Sequence, residues 1–422
     1  MHDNYCETIV KSMIKKAFLF PGQGSQYVGM GKKLCERYQI ASDVFDEASE
    51  ALGEDMKKLC FESSLDELTL TQNAQPAILT VSKAMFEVFT KDIGVSADIM
   101  AGHSLGEISA LTCSGAIEFS DAVKIVRKRG QFMQHAVEPG RGLMAAAMTR
   151  DIAHLEEICD AASTEDSIVK ISNYNTGIQT VISGDKDAVM RAMDVLDKEK
   201  IKTTILNVSA PFHCPLMSKA ADLLNEELKN YTFHNPNCIV LSNVSASPYP
   251  NKDAISDYLT RQLVMPVQWV NSMKYLKRAI VRYGIELGPK DALKKMMKKN
   301  ISDIPVLAFD IEKDAEGAKN YIDSLYIPFL ARAMGIAVAT QNQNFDANAY
   351  KTGVVEPYNK IQQLQQKIEE ENRKATKEEM FSALEMLKGI LKTKGISEAE
   401  QSERFAQLFN ETGTEEIFAE YK

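Results

Sequence analysis

The sequence predicts an α/β fold with two further parts, and three observations carry this prediction. An apolar run over Ile99-Met100-Ala101 leads into a Gly-x-Ser-x-Gly turn, and a helical pattern follows from Glu107 to Ala116. Such a strand-turn-helix unit is typical of a parallel sheet covered by helices. Residues 140–208 change to short strands with two helices, and residues 310–422 are mainly helical in pattern. We therefore expect a large α/β part, a smaller inserted part and a helical C-terminal extension.

Composition narrows the class of protein. The chain has 422 residues, 45% of them hydrophobic and 25% charged, with a formal net charge of −9. This indicates a globular protein of about two to three domains. The negative balance argues against binding to nucleic acid and offers no broad basic face to a membrane. No apolar run approaches the roughly 20 residues of a membrane span, and Met1 to Ser12 lack the apolar stretch of a signal peptide. We expect a cytoplasmic protein with an N-terminal extension at residues 1–12 and Met13 as an alternative start.

Seven cysteines are scattered along the chain. No pair has the close spacing of a zinc site, and the odd number does not suggest a set of disulfides. We interpret them as reduced thiols of a cytosolic protein and expect no metal site. They are Cys6, Cys35, Cys60, Cys113, Cys159, Cys214 and Cys238.

The segment Gly102-His103-Ser104-Leu105-Gly106 is the first candidate for chemistry. A strand that turns sharply into a helix pushes the serine hydroxyl out at the tip of the sheet. The glycines let the backbone turn tightly and leave room for a substrate. The free N–H groups and the positive end of the helix dipole point at charge that develops there. Ser104 is thus a candidate nucleophile for acyl transfer, and an ordinary strand-to-helix turn is the alternative.

A second glycine-rich turn follows the first predicted strand, Lys16–Phe20. The strand breaks at Pro21-Gly22-Gln23-Gly24-Ser25-Gln26. Open α/β sheets bind ligands at the carboxyl ends of their strands. Gln23 is the candidate here, because a side-chain or backbone N–H at this place can face an oxyanion, and a plain turn is the alternative. The following segments predict helices over Tyr27–Tyr38, Ile40–Ala51 and Pro76–Phe89.

One arginine falls on the apolar face of the predicted helix Asp121–Ala136. Arg129 is three residues after Val126 and four before Met133, so the three share a face, whereas the basic residues at 127 and 128 point elsewhere. A guanidinium on a buried face is costly unless it has a partner. The partner is either a buried Asp or Glu in a salt bridge or the carboxylate of a substrate, held bidentately.

Residues 140–208 predict an inserted ferredoxin-like unit. After a hinge at Gly140-Arg141-Gly142 the pattern runs strand, helix, strand, strand, helix, strand, which is the order of a ferredoxin-like fold. The host segments are residues 13–139 and 209–309, and the seam between an inserted unit and its host is a natural cleft. The predicted elements are strand Leu143–Met148, helix Asp151–Ala161, strands Ile168–Ser172 and Thr180–Ser183, helix Lys186–Lys198 and strand Thr203–Val208.

His213 is the best candidate for a general base. It lies where the chain returns from the insertion, at Pro211-Phe212-His213, and therefore at the mouth of the expected seam. The other five histidines fall in polar or irregular stretches, at a helix end or beside Ser104. A serine hydroxyl is a poor nucleophile without a nearby base. No Asp is obviously placed to orient the ring, so we expect a backbone carbonyl in that role. A merely packed or solvated histidine is the alternative.

Several segments, in this order, resemble those of malonyl-CoA:acyl-carrier-protein transacylases, and the resemblance covers about Lys15 to Phe309. Together with the turn at Ser104 it implies a large subdomain of α/β-hydrolase-like fold. The segments are Phe20–Gln26, Gly102–Gly106, Arg129–Met133, Asn173–Asn175 leading to Val181–Gly184, Pro211–His213, Pro266–Trp269 and Glu286–Pro289.

The resemblance implies a role for each matched residue. Ser104 would be acylated, and His213 would act as general base and general acid. The backbone N–H groups of Gln23 and Leu105 would form the oxyanion hole. Arg129 would pair with the free carboxylate of malonyl, which explains a basic group on an apolar face.

Two neighbouring residues bear on the choice of acyl group. Leu105 follows the nucleophile and Phe212 precedes the histidine, as in the malonyl-selective pattern of polyketide-synthase acyltransferases. A bulky Phe212 would crowd an α-methyl group, which is worth about 1–3 kcal/mol of discrimination. We expect Phe212 and Met133 to line the substrate pocket. The loop Gly288-Pro289-Lys290-Asp291 departs from the family pattern, and we expect it near the carbonyl that holds the histidine.

The expected activity is ping-pong transfer of malonyl from malonyl-CoA, through an ester of Ser104, to the phosphopantetheine thiol of an acyl carrier protein. The pathway is fatty acid or polyketide synthesis. No bound cofactor is expected, because malonyl-CoA is a substrate and phosphopantetheine belongs to the partner.

The nearer alternative is a proofreading acyl hydrolase of the same fold, which uses water as acceptor and should not need Arg129. A non-catalytic docking protein is the other alternative, and the set of Ser104, His213 and Arg129 argues against it.

The C-terminal extension, residues 310–422, exceeds a minimal transacylase. Thr376 with Glu379, and Ser397 with Glu400, predict capping boxes at two helix starts. The extension resembles those of freestanding acyltransferases that serve polyketide synthases from outside the module. It is either a docking surface for such a module or a solvated helical appendage. Its predicted helices are Tyr358–Lys374, Lys377–Lys392 and Ser397–Asn410.

Overall fold

The structure is a computed structural model that describes residues 14–138, 140–208, 210–325, 327–371, 373–415 and 417–421. The predicted N-terminal extension (1–12), the alternative start at Met13, and Cys6 lie outside these residues. The described chain divides into two compact units. One is Lys15–Ala318, and the other contains Ile14 and the described residues from Lys319 onward.

Nine strands and nineteen α-helices are present in the described part of the chain. The strands are β1 (Lys15–Phe20), β2 (Ile99–Gly102), β3 (Gly142–Ala147), β4 (Val169–Thr176), β5 (Gln179–Asp185), β6 (Thr203–Ile205), β7 (Ile239–Leu241), β8 (Val281–Glu286) and β9 (Val306–Ala308). The helices are α1 (Lys32–Arg37), α2 (Gln39–Leu52), α3 (Met56–Glu62), α4 (Leu65–Thr69), α5 (Thr71–Ile93), α6 (Leu105–Cys113), α7 (Phe119–Gln134), α8 (Ile152–Ala162), α9 (Lys186–Lys198), α10 (Ser218–Leu228), α11 (Ile255–Gln262), α12 (Trp269–Arg278), α13 (Ala292–Asn300), α14 (Glu312–Ser324), α15 (Phe329–Ala339), α16 (Ala347–Tyr350), α17 (Glu356–Glu370), α18 (Lys377–Thr393) and α19 (Glu398–Thr412).

A five-stranded parallel sheet, in the order β7-β2-β1-β8-β9, forms the centre of the Lys15–Ala318 unit. Its middle strands read as apolar runs because helices cover both faces of the sheet. The predicted α/β class with a parallel sheet is therefore confirmed. In the register of β1 and β2, Phe20 lies beside Gly102. The turn that starts at Pro21 and the turn at Ser104 thus leave the same edge of the sheet side by side.

A second sheet of four antiparallel strands, in the order β4-β5-β3-β6, lies within the same unit. Its apolar face packs on α8 and α9, with Leu155 and Leu196 fully buried between the layers. The strand predicted to reach Val208 ends at Ile205. The reason is a tight turn, in which the N–H of Val208 donates to the carbonyl of Leu206 and bends the chain out of the sheet.

Two of the predicted helices begin five residues away from the predicted start. The helix expected over Tyr27–Tyr38 is wrong before Lys32, because Gly29 and Gly31 take left-handed conformations with φ of 96° and 82°. The helix expected to start at Pro76 starts at Thr71. Pro76 is therefore the sixth residue of this helix, beyond the first turn, where a proline removes one intrahelical hydrogen bond and crowds the preceding turn.

The unit that follows Lys319 has an apolar core of its own. Helices α15, α17, α18 and α19 contribute to it, and three phenylalanine rings, Phe329, Phe409 and Phe418, stack at its centre. The capping box of Thr376 and Glu379 is present at the start of α18. At the start of α19 the Ser397 side chain accepts a hydrogen bond from the Glu400 N–H, which is half of the second predicted box.

One stretch, Glu312–Ala339, is long and apolar enough to cross a membrane by length and composition alone. The sequence analysis had found no such run. Core helices of soluble proteins pass the same test, so this stretch is weak evidence for a membrane span. Regular helix also ends at Ser324 and begins again at Phe329 within it.

Candidate active site

The turn between β2 and α6 presents Ser104 in a strained conformation. Ser104 has φ 54° and ψ −107°, which a non-glycine residue rarely adopts. The flanking glycines serve close packing: a Cβ on Gly102 would lie 1.9 Å from the Gly106 carbonyl, and one on Gly106 would lie 2.0 Å from the Phe20 carbonyl oxygen. The space that was expected for a substrate is therefore filled by backbone, and the left-handed turn is made by the serine itself.

His213 lies within hydrogen-bond distance of Ser104. Its Nε2 is 2.7 Å from Ser104 Oγ, and its Nδ1 is 2.7 Å from the main-chain oxygen of Gln262. Because a carbonyl only accepts, Nδ1 carries the proton and Nε2 is free to accept the serine proton. A backbone carbonyl was expected in the orienting role, and it belongs to Gln262, the last residue of α11. In the loop at residues 288–291, which was expected near this carbonyl, the Lys290 N–H donates to Asp310.

Burial keeps this imidazole neutral. Desolvation lowers the pKa of His213 to about 3, and the nearby positive charge of Arg129 acts in the same direction. The imidazole is therefore unprotonated, and its Nε2 is available to accept a proton, throughout the neutral range.

Arg129 reaches Ser104 from the other side. It is 1% exposed, and its guanidinium donates to Gln75 Oε1 (2.8 Å), Gln262 Oε1 (2.7 Å) and Ser104 Oγ (3.2 Å). Desolvation lowers its pKa to about 10. Among the described residues no carboxylate forms an ion pair with it, so the salt-bridge alternative does not hold there. Arg127 of the same helix was expected to point elsewhere, but it is buried and forms a salt bridge with the half-exposed side chain of Glu54.

The structure brings all seven predicted site residues to one cavity of about 200 Å³. Side chains of the antiparallel sheet and the segment that follows it, including Met144 and Leu206, form part of its wall. Within the described chain no residue accepts a hydrogen bond from the backbone N–H of Gln23 or Leu105. The Gln23 side chain donates to Thr71 Oγ1 at 3.2 Å. The seven residues are Gln23, Ser104, Leu105, Arg129, Met133, Phe212 and His213.

Four polar residues around the site were missed by the sequence analysis. Gln75 and Gln262 hold Arg129, while the Asn243 side chain accepts from the Ser104 N–H at 2.7 Å and donates to the Gly102 carbonyl at 2.7 Å. Glu107 accepts from Gln262 and from the Asn243 N–H. Glu107 was visible in the segment after Ser104 and Gln75 in the segment before Pro76, but neither carries a pattern that indicates a buried polar role.

The described residues hold no group of three or more His, Cys, Asp or Glu side chains that could bind a metal ion. The six cysteines among them are free thiols.

The comparison with protein families decides the class of the chain. Residues 17–325 match the family described as "Acyl transferase domain". The chain belongs to the acyl transferase family.

Relatives within this family share one activity by name. A "Malonyl CoA-acyl carrier protein transacylase" of Bacillus subtilis is 38% identical over 392 residues, 91% of this chain and 98% of the relative. An Escherichia coli (strain K12) protein of the same name is 42% identical over 299 residues, 71% of this chain and 96% of the relative. The Bacillus alignment therefore includes most of the C-terminal extension.

Solved structures agree with this acyl transferase assignment. A malonyl-transacylase in complex with a type II PKS acyl-carrier protein is 35% identical, with a TM-score of 0.71. The match covers 73% of this chain and 99% of that one.

Proposed function

We propose that this acyl transferase moves malonyl from malonyl-CoA to an acyl carrier protein, for fatty acid or polyketide synthesis, with Ser104 as the nucleophile. The observation that carries the proposal is the position of Ser104 Oγ, 2.7 Å from His213 Nε2 and 3.2 Å from Arg129 Nη2. A hydroxyl, a base and a carboxylate-binding cation thus share one cavity, as malonyl transfer requires. The names of the relatives support the same substrate and acceptor.

The first half-reaction forms the acyl-enzyme. His213 Nε2 takes the proton of Ser104 as Oγ attacks the thioester carbonyl of malonyl-CoA. The N–H groups of Gln23 and Leu105 hold the oxyanion, and a donor of this kind is typically worth about 3 kcal/mol. The C–S bond then breaks, and the CoA thiolate leaves with the proton from Nε2.

The second half-reaction reverses these steps with a new thiol. The phosphopantetheine thiol of the carrier protein gives its proton to His213 Nε2 and attacks the Ser104 ester. The ester C–O bond breaks, Oγ regains the proton, and malonyl leaves as the thioester of the carrier.

Arg129 selects the acyl group in this scheme. Its guanidinium is held at the cavity wall by two glutamine oxygens, Gln75 Oε1 and Gln262 Oε1, and can pair with the malonyl carboxylate. Phe212 and Met133 line the same cavity and limit the space near the acyl chain. A water-using acyl hydrolase has no need of such a cation, and the relatives are named transacylases, so that alternative is not favoured.

The finer division of the fold is also part of the proposal. We infer an α/β-hydrolase-like subdomain from residues 13–139 and 209–309, interrupted by a ferredoxin-like subdomain at residues 140–208. The strand order β4-β5-β3-β6 and the two helices on one face support the second of these. A cytoplasmic location and the absence of a bound cofactor stay predictions from the sequence.

For residues 310–422 we propose a docking surface for a polyketide synthase module. Two apolar side chains of this part are unusually exposed, Phe345 at 92% and Val338 at 68%. Apolar side chains mark a contact site where they belong to a contiguous exposed patch, and these two are the candidates for such a patch in residues 310–422.

Replacement of the nucleophile tests the activity. Ser104→Ala should keep the fold and lose all covalent labelling by radioactive malonyl-CoA, because Ser104 Oγ is the one hydroxyl that contacts His213 Nε2 among the described residues. Labelling is measured on the denatured protein after gel separation, with Ser109→Ala, a buried serine further along α6, as the matched control. Label that persists on the Ser104→Ala protein would show that the acyl group is carried elsewhere.

A further inference from the structure

Glu107 is a buried carboxylate close to the reacting residues for which the mechanism has no use so far. It lies in the first turn of α6 and is 0% exposed. Its Oε1 accepts from the Tyr249 hydroxyl at 2.5 Å, and its Oε2 accepts from the Gln262 side chain at 2.5 Å and the Asn243 N–H at 3.1 Å. Within the described residues no cation forms an ion pair with it. A buried negative charge without a cation in contact is costly, so its presence here needs a physical reason.

The side-chain amide of Gln262 connects Glu107 to Arg129. Gln262 Oε1 accepts from Arg129 Nη2 at 2.7 Å, while Gln262 Nε2 donates to Glu107 Oε2 at 2.5 Å and to the Ser104 carbonyl at 3.0 Å. A guanidinium only donates and a carboxylate only accepts. The two charges therefore fix which end of the amide faces which residue. The two opposite charges therefore lie on either side of one amide, without the direct contact of a salt bridge.

This separation leaves the guanidinium free for a substrate. Arg129 Nε has no hydrogen-bond partner among the described residues, and Nη2 reaches Ser104 Oγ. A carboxylate in direct contact would occupy the edge that a malonyl carboxylate needs. One that lies beyond an amide offsets the positive charge across a low-dielectric interior and leaves that edge open.

We propose that Glu107 is the counter-ion of Arg129, acting through Gln262, and that its charge sets how strongly the site prefers acyl groups that carry a carboxylate. This inference rests on the proposed role of Arg129 in binding malonyl. Glu107 touches no reacting atom, so it is a positioning residue. Its negative charge also offsets the cost of burying the Arg129 guanidinium, which has no protein carboxylate in contact with it while the substrate is absent.

Two consequences follow for the choice of donor. A malonyl carboxylate brings a second negative charge near Glu107, whereas an acetyl group brings none. Without the charge of Glu107, malonyl should therefore be bound more favourably. The uncompensated charge of Arg129 would also oppose proton uptake by His213, and in acetyl transfer no substrate carboxylate relieves this.

Glu107→Gln removes the negative charge of the side chain and keeps its hydrogen bonds. The new amide keeps an oxygen for Gln262 and Asn243, and its NH₂ can face the Tyr249 hydroxyl. Single-turnover acylation of Ser104 is measured with malonyl-CoA and with acetyl-CoA. The malonyl-to-acetyl ratio of rate constants should rise by roughly tenfold, about 1.4 kcal/mol, whereas Arg129→Ala should lower it.

A matched control is available in Glu286, which is also 0% exposed. Its carboxylate accepts from the N–H groups of Leu293 and Lys294, and no hydrogen bonds in the described part of the chain lead from it to Arg129. Glu286→Gln removes an equally buried carboxylate and should leave the donor ratio unchanged. A ratio that changes in both variants would reflect general loosening and overturn the inference.

The pH dependence of the wild-type enzyme gives a second readout without any substitution. Desolvation raises the pKa of Glu107 to about 7, so the carboxylate takes up a proton as the pH falls from 8 to 6. The donor ratio should then rise in the wild type and stay flat in Glu107→Gln. Titration of CoA itself cancels in this ratio.

The other titratable groups that face Glu107 and its bridge in the described chain are Tyr249 with its neighbour Tyr258, Arg129 and His213. Burial raises the pKa of Tyr249 well above 10, and the pKa values of Arg129 and His213 are about 10 and about 3. These three do not titrate between pH 6 and 8. A pH-dependent ratio that is lost in Glu107→Gln therefore reports Glu107.

The outcomes separate this inference from the proposed function. If malonyl-CoA does not acylate Ser104 in the wild type, the proposed function is wrong. If it does, but the ratio is the same in Glu107→Gln and flat with pH in the wild type, only the role of Glu107 is overturned. An equal fall of both rate constants would mean a purely structural role.

Discussion

Two non-glycine residues in left-handed backbone conformations face each other in the active site. Ser104 has φ 54° and His213 has φ 58°. Such conformations cost on the order of 1–3 kcal/mol each, and they persist only where the surroundings hold them. Here the Asn243 side chain holds the backbone on both sides of the Ser104 turn, and the Gln262 carbonyl holds the His213 ring. The strain places Oγ and Nε2 in contact before any substrate arrives.

The buried imidazole predicts a specific acid sensitivity. The unfolded His213 takes up a proton near pH 6.5, whereas the folded one does so near pH 3. Between these values the unfolded state binds the extra proton, so the free energy of unfolding falls as the pH falls, by about 1.4 kcal/mol per pH unit. His213→Asn removes this titration; asparagine tolerates a positive φ and its NH₂ can still donate to the Gln262 carbonyl.

Urea unfolding at pH 7.5 and pH 5.0 measures the effect. Between pH 7.5 and pH 5.0, the free energy of unfolding of the wild type should fall by about 2 kcal/mol more than that of His213→Asn. His103, whose pKa burial also lowers, contributes to both proteins and cancels. Parallel losses in the two proteins would mean that His213 is not neutral and buried in the folded state.

At the residue scale, the residues that carry the proposed chemistry were easier to predict than the residues that hold them in place. Ser104, His213 and Arg129 stand out because a hydroxyl in a turn, a histidine at a seam and a cation on an apolar face are each unusual. Gln262 does not stand out in the sequence. It contacts all three residues, but it is more than a hundred residues from Ser104 and Arg129 in the sequence, so these contacts form only when the chain folds. Ordinary glutamines carry no local signal of such a role.

At the scale of elements, the contact of α6 with β1 sets the position of Ser104. The two elements approach so closely at Gly106 that its missing side chain is a condition of the turn. The helix N-terminus then lies directly behind Ser104, where its unpaired N–H groups favour negative charge.

Gly106→Ala tests this contact. The added Cβ would lie 2.0 Å from the Phe20 carbonyl oxygen, so the helix must move away from the sheet. Overpacking of this kind costs about 1–3 kcal/mol or more, and we expect a lower midpoint of thermal unfolding together with slower acylation of Ser104. Gly177→Ala, at a site with no atom within 4 Å of the new Cβ, is the control. Equal behaviour of the two variants would show that the close packing at Gly106 is not needed.

Helix and strand boundaries show where local patterns fail. The periodicity predicted Lys186–Lys198 as the structure has it, since this surface helix has one apolar face and an acidic start. The segment from Tyr27 has a helical pattern too, but Gly29 and Gly31 adopt left-handed turns. Gly31 packs against Phe45, so the turn there is set by a contact with α2 that the local sequence does not contain.

At the scale of the whole molecule, every residue that lines the active-site cavity lies in the Lys15–Ala318 unit. The unit beyond Lys319 has a separate apolar core, in which Leu384, Leu387 and Phe409 are buried. The E. coli relative matches only 71% of this chain, and 96% of its own length. We therefore expect the chemistry to belong to the Lys15–Ala318 unit.

A chain that ends after Leu325 tests this division. Its rate constant for Ser104 acylation by malonyl-CoA should equal that of the full chain, because no lining residue is lost. If the removed part docks on a synthase, the loading of carrier domains within a polyketide synthase module should slow, while the loading of a free carrier protein should not. Single-turnover acylation and carrier loading followed by mass spectrometry measure both, and loss of acylation itself would place part of the site in the removed segment.

The sequence by itself determined the α/β class and singled out Gln23, Ser104, Arg129 and His213 by local patterns, such as a turn between a strand and a helix and an apolar stripe interrupted by a cation. It predicted Leu105, Met133, Phe212 and the acyl transfer chemistry through motifs in a fixed order that resemble those of a known family. Only the tertiary structure decided which groups hold those residues in place. The Gln262 carbonyl, the Asn243 amide and the Glu107 carboxylate act across 49 to 158 residues of sequence. Such contacts follow from the packing of α11 and the segment after β7 against α6. Periodicity and motif spacing do not predict this packing, because they describe only residues that are close in the sequence.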